Sequence, residues 1–196
     1  MPPRAALLAL VLTASACSPM YVGKSETLRA DALRSEPGWT SVQGVPQLRQ
    51  EHELDCGPIA LQMVSRYWEP TRTDELELPI GTRATAGELR DAARARGYKS
   101  FIVEGTLNDI EHELKARRPV IVGMAKPTTD GALAHYEVVV GLHKEKQMIA
   151  TFDPALGPRR YAFEDFLREW INAGRPLLVV IGPPAPQEHA SVVDAR

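Results

Sequence analysis

Gln50 and Cys56 lie six residues apart in the run Gln50-Glu51-His52-Glu53-Leu54-Asp55-Cys56-Gly57-Pro58, and an apolar helical pattern follows at once. A thiol at a helix mouth, beside an amide donor, gains thiolate character. Orphan backbone N–H groups and the positive end of the helix dipole favour the anion over the neutral sulfhydryl. Cys56 is therefore the candidate nucleophile. Two bland readings stand beside this one: an inert buried thiol, or a disulfide with Cys17, the other of the chain's two cysteines.

A thiolate that attacks a carbonyl needs an imidazole to carry the proton and a third group to orient that imidazole. The chain has five histidines. His52 shares the loop of Cys56 and offers no opposite wall, His112 falls in a charged helix, His143 near a hairpin tip and His189 in a polar tail. His135 opens an apolar strand, Tyr136 to Leu142, after the loop Thr128-Thr129-Asp130-Gly131. A strand end beside a loop holds a side chain rigidly yet leaves it open to substrate. Asp153 ends the next strand, and a hairpin returns that end to the start of the His135 strand, where its carboxylate can accept the imidazole N–H. Taken singly, His135 also reads as a satisfied strand-end histidine and Asp153-Pro154 as an ordinary turn.

The elements that must position these groups are legible from periodicity. Ile59 to Trp68 carries a broad apolar helical face, with Pro58 in the first turn where its missing N–H costs nothing. A polar loop runs from Glu69 to Ala84. Thr85-Ala86-Gly87-Glu88 is a capping box that opens a second helix, stopped by Gly97. Lys99 to Glu104 is a strand, and Thr106 to Asp109 begins a third helix carrying Ile110 and Leu114. Val120 to Met124, Tyr136 to Leu142 and Met148 to Phe152 read as strands, followed by a short helix through Phe163, Phe166, Leu167 and Trp170, and a last strand, Leu177 to Ile181. Helices first and antiparallel strands afterwards predict an α+β domain in two layers, N-terminal helices packed on an antiparallel sheet.

The formal net charge of −2, with acids and bases interspersed, presents no basic face for nucleic acid. No metal-ligand spacing or cofactor motif stands out. Residues 1–16 have the plan of a secretory signal: Arg4, the apolar run Ala5 to Leu12, then Ala14-Ser15-Ala16. The apolar run is too short for a membrane span. Cleavage before Cys17 resembles a bacterial lipoprotein signal, which implies lipid on Cys17 and membrane attachment through it. Ser18 after that cysteine resembles outer-membrane sorting, on the periplasmic face. Residues 17–42 are expected to form a tether, 43–182 the folded domain and 183–196 a loose tail.

Gln50, Asp55-Cys56-Gly57-Pro58, His135 before an apolar strand, and Asp153-Pro154 with Gly157 together resemble the bacteriocin-processing, double-glycine-leader cysteine peptidases, a papain-like group. The resemblance runs from Val45 to Ile181. It implies a papain-like fold in which Cys56 is the nucleophile, His135 the general base and acid, Asp153 the residue that orients His135, and Gln50 a donor to the oxyanion. Its implied partners are a peptide or protein substrate and, in trans, export machinery. Relatives known for leader removal are usually transporter domains, whereas this chain carries no nucleotide-binding motif. A second reading stays open: a catalytically silent peptide-binding module of the same fold in the cell envelope.

Overall fold

The computed structural model describes residues 20–29, 31–71, 78 and 83–183. The signal segment, Cys17, the tail beyond Pro183 and much of the loop expected after Glu69 lie outside them. Among the described residues the chain runs β1 (Glu26–Thr27), α1 (Ala32–Ser35), β2 (Trp39–Ser41), α2 (Cys56–Trp68), α3 (Ala86–Ala95), β3 (Lys99–Glu104), α4 (Leu107–Lys115), β4 (Val120–Thr128), β5 (Gly131–His143), β6 (Met148–Asp153), β7 (Gly157–Ala162), α5 (Phe163–Asn172) and β8 (Pro176–Ile181). The strands form one antiparallel sheet in the order β1-β7-β6-β5-β4-β8-β3, and β2 adds to the far end of β5. The expected α+β class, helices on an antiparallel sheet, is the observed one.

Local chemistry explains the helix starts. Thr85 Oγ1 accepts the Glu88 N–H, and the Glu88 carboxylate accepts the Thr85 N–H at 2.7 Å, so two orphan donors of α3 are satisfied reciprocally. Thr106 and Asp109 repeat the device at α4.

Four expectations change in the structure. Thr128 to Gly131 is a tight hairpin turn and no open loop: Thr128 pairs with Gly131, and β5 starts at that glycine, whose φ of 132° few side-chain-bearing residues adopt. His135 thus lies inside a 13-residue strand, opposite Met124. Ala132, Ala134 and Pro127 lack the β-branched bulk by which a strand is recognised, so periodicity understates the hairpin. The second difference is β7, which holds Arg159 and Arg160 and pairs with both β6 and β1. The third concerns 17–42. Its described part packs on the domain: β1 joins β7, β2 joins β5, and Leu28, Ala32 and Val42 are buried. These residues are too widely spaced to give a helical or strand period.

Strand alternation divides the sheet's side chains. His135 and Glu137 point to one face and Tyr136 to the other. Helix α5 covers the first face, where Phe166 and Trp170 are fully buried and Tyr161 meets Phe166 edge-on. Helix α2 covers the second, with Gly57 against Tyr136. Helices therefore occupy both faces, one layer more than expected.

Deleting residues 1–42 should destabilise the domain, because exposing a Leu or Val such as Leu28 or Val42 costs roughly 1.5–3 kcal/mol each. Urea unfolding checks this. A true tether would leave the midpoint unchanged.

Candidate active site

Cys56 is the first residue of α2, so its backbone N–H is one of the helix's orphan donors. A Cβ on Gly57 would lie 3.2 Å from both Leu89 and Tyr136, tighter than ordinary contact. Glycine there lets the first turn of α2 close onto β5. Asp55 orders the preceding loop: its Oδ2 accepts the His52 N–H at 3.2 Å, and its side chain caps no helical N–H.

On the sheet side, β6 ends at Asp153, and Gly157, at φ 83°, closes the turn back into β7. Asp153 Oδ1 accepts the backbone N–H groups of Ala155 and Leu156 at 2.7 and 3.1 Å. The same oxygen lies 2.8 Å from His135 Nε2. An ionised carboxylate only accepts, so Nε2 carries a proton. Cys56 lies beside the same imidazole, close enough for each group to shift the other's proton affinity. All three side chains are buried. Cys56, His135 and Asp153, predicted from sequence, therefore meet in one place.

Gln50 joins them at the edge. Its backbone N–H donates to Pro154 O at 3.0 Å, tying its loop to the Asp153 turn. It borders a cavity of about 190 Å³ together with His135, Asp153, Tyr21, Leu133 and Leu156. Its Nε2 donates to His52 O at 3.0 Å, while Oε1 is buried without a hydrogen-bond partner among the described residues.

The electrostatics follow from these contacts. Burial alone would push the Cys56 thiol up, but the His135 hydrogen bond and charge, the Tyr136 backbone and Arg83 outweigh it and the thiol is lowered. Burial would push His135 down, yet the hydrogen bonds to Asp153 and Cys56 raise it to about 9. Burial opposes ionisation of Asp153 as well, and His135, then Lys126 and the Leu156 N–H, bring it well below the usual carboxylate range.

Several partners escape a reading of the sequence. Lys126 and Glu137 sit among apolar strand residues yet are buried, with Lys126 Nζ 2.6 Å from Tyr161 OH and 3.4 Å from Asp153 Oδ2. A charge inside an apolar strand is the available signal, since buried charges need partners. Arg83 Nη1 donates to Ala134 O at 2.5 Å, next to His135, and its Nη2 lies 3.9 Å from Glu53 Oε1. His135, Glu137 and Asp153 offer ligand atoms within 4.8 Å of one another, but the Lys126 ammonium supplies the positive charge among them, and a metal ion would have to displace it. Cys17 lies outside the described residues.

His135 should hold its proton through neutral pH and lose it as pH rises through about 9. Its folded value exceeds the unfolded one of roughly 6.5, so the stability it contributes is complete below that and is lost through about 9. Imidazole proton NMR, assigned with His135→Ala, measures the midpoint, and Asp153→Asn should lower it. A wild-type midpoint at the ordinary histidine value would contradict the pairing.

No curated protein sequence matches the chain significantly. Among solved structures, the peptidase domain of Streptococcus ComA, a bifunctional ABC transporter, is 20% identical with a TM-score of 0.55, covering 71% of this chain and all of that one. A C39-like peptidase from Bacillus anthracis is 16% identical with a TM-score of 0.54, covering 73% and 98%. A double-glycine-motif protease from an AMS/PCAT transporter, solved with its leader peptide, is 22% identical with a TM-score of 0.54, covering 73% and 95%. Identities this low establish the shared fold. The profile of the Peptidase C39 family matches residues 45–179, which include Gln50, Cys56, His135 and Asp153, and the chain belongs to that family.

Proposed function

We propose that this protein is a cysteine peptidase of the cell envelope, exported and held to a membrane by lipid on Cys17. The observation that carries the chemistry is the 2.8 Å contact of His135 Nε2 with Asp153 Oδ1, with Cys56 beside the same imidazole. The Cys56 thiolate attacks the substrate carbonyl carbon, and negative charge moves to the carbonyl oxygen. The Cys56 backbone N–H and an N–H of Gln50 receive that charge. His135 gives its proton to the departing amine, leaving a thioester on Cys56. Water then attacks the thioester, His135 takes a proton from it, and the acid product leaves with the thiolate–imidazolium pair restored. Asp153 holds the imidazole's orientation throughout.

A peptide substrate is supported by the leader-peptide complex of the transporter protease. Membrane attachment rests on the signal pattern before Cys17. With the anchor in the membrane, leader peptides or envelope proteins exported by separate machinery would come within reach. A second reading, a silent peptide-binding module, is favoured by two observations: Cys56 has no exposed surface, and the Gln50 amide is turned onto its own loop.

Mass spectrometry of a peptide library incubated with the protein lacking residues 1–17 separates them. Cleavage that disappears in Cys56→Ala, with peptide binding kept, supports the peptidase. Peptide binding with no cleavage supports the module. Gln50→Ala should lower kcat by about 100- to 1000-fold with little change in KM, since losing an oxyanion donor costs about 2.7–4 kcal/mol of barrier. Intact-mass analysis of protein from membranes tests the anchor: an unmodified Cys17 would contradict it.

A further inference from the structure

Behind the His135–Asp153 pair lies a closed set of charges drawn from six parts of the chain. Lys126 comes from β4, His135 and Glu137 from β5, Asp153 from β6, Tyr161 from β7, Glu169 from α5 and Tyr21 from the segment before β1. The Lys126 ammonium donates to Glu137 Oε1 at 2.5 Å and to Tyr161 OH at 2.6 Å, and lies 3.4 Å from Asp153 Oδ2 and 3.8 Å from Glu169 Oε2. Tyr161 OH and Thr151 Oγ1 donate to Glu137 at 2.7 and 2.5 Å. Tyr21 closes the set from outside: its ring centroid is 4.3 Å from the ammonium, and its hydroxyl donates to Glu169 Oε1 at 2.8 Å. The Lys126 side chain retains 4% of its exposure, and those of Glu137 and Asp153 none.

The arrangement poses a physical problem at Asp153. Its carboxylate must be ionised to stabilise an imidazolium, but a second buried carboxylate, Glu137, places an oxygen within 4.8 Å of it. Two carboxylates that close, out of water, share a proton. A shared proton on Asp153 would weaken its hold on His135 and so the thiolate–imidazolium pair. We propose that Lys126 is a positioning residue for the active site: its buried ammonium, between Glu137 and Asp153, allows both to be anions and keeps Asp153 available to His135. Burial raises Glu169 against the pull of Lys126. Burial and the neighbouring carboxylates hold Tyr161 well above its ordinary value, so it acts as a donor. On the thiol side, Cys56 faces His135, Tyr136 and Arg83. Tyr21 lies outside residues 45–179, so the seal over the ammonium comes from beyond the family's common region.

The inference rests on the Cys56-His135-Asp153 reading, but its test needs no substrate. In the full chain carrying Cys17→Ser, Cys56 is the single thiol, and its alkylation rate by iodoacetamide across pH reports when the thiolate appears. Lys126→Met and Lys126→Gln, the second keeping neutral donors for Glu137 and Tyr161, should each move the midpoint to higher pH by at least about one unit, a tenfold loss of thiolate below it. Lys126→Arg should keep the midpoint near that of the parent. Lys126→Met/Glu137→Gln removes the competing carboxylate together with the cation and should restore it. An unchanged midpoint in folded Lys126→Gln overturns the proposal, because the lysine would then serve stability alone. A double variant shifted as far as Lys126→Met overturns it too. A peptidase reading that fails for want of any cleaved substrate would leave these midpoints as predicted.

Discussion

His135 stands buried between a thiol and a carboxylate, and the chemistry at the cleft depends on that sandwich. A buried imidazole on its own prefers to be neutral, and a buried thiol prefers to keep its proton. Put in contact, with Asp153 fixed behind, each group's charge stabilises the next. The arrangement asks for three separate elements to end or pass at one point: the first turn of α2, the middle of β5 and the last residue of β6. Antiparallel pairing of β5 with β6 brings Asp153 beside Glu137 and within reach of His135, and Gly57 allows α2 to approach β5 closely.

The N-terminal segment is more than a spacer in this design. Val22 N–H donates to Pro127 O at 2.9 Å and Thr129 N–H to Met20 O at 3.0 Å, so residues 20–22 run beside the tip of the β4–β5 hairpin that carries His135. Tyr21 then folds over Lys126 and forms part of the cavity wall next to Gln50 and His135. Gly23 is needed there, because a Cβ on it would collide with the Tyr21 hydroxyl and Glu169.

The parts of the fold governed by strong local rules were legible in the sequence. The Thr85 capping box, the helix start at Thr106, the amphipathic faces of α2 and α5 and the apolar runs of β6 and β8 are written in short stretches, and the structure keeps them. Cys56 and Asp153 were identifiable because each sits at a marked boundary of such an element, and His135 because it precedes the apolar run of β5, although it lies inside that strand. Long-range features were hidden. The extension of β5 back to Gly131 uses small residues that carry no strand signature, and β7 and the edge strand β1 carry arginines and a glutamate that resemble a loop. Leu28 and Val42 fill the core singly, with no repeat to announce them. The charge set around Lys126 is assembled from residues up to 148 positions apart, as in the Tyr21–Glu169 bond, and no spacing rule connects them.

If Cys56 is a nucleophile activated by His135, the pair should form a covalent adduct with a peptide aldehyde under conditions where a free thiol elsewhere does not. Intact-mass measurement with peptide mapping, on the wild-type chain and His135→Ala, tests this most directly. The expected result is a single adduct on Cys56 that forms readily in the wild type and is lost or strongly slowed in His135→Ala. Labelling that is equal in the two proteins, or that spares Cys56, would contradict it.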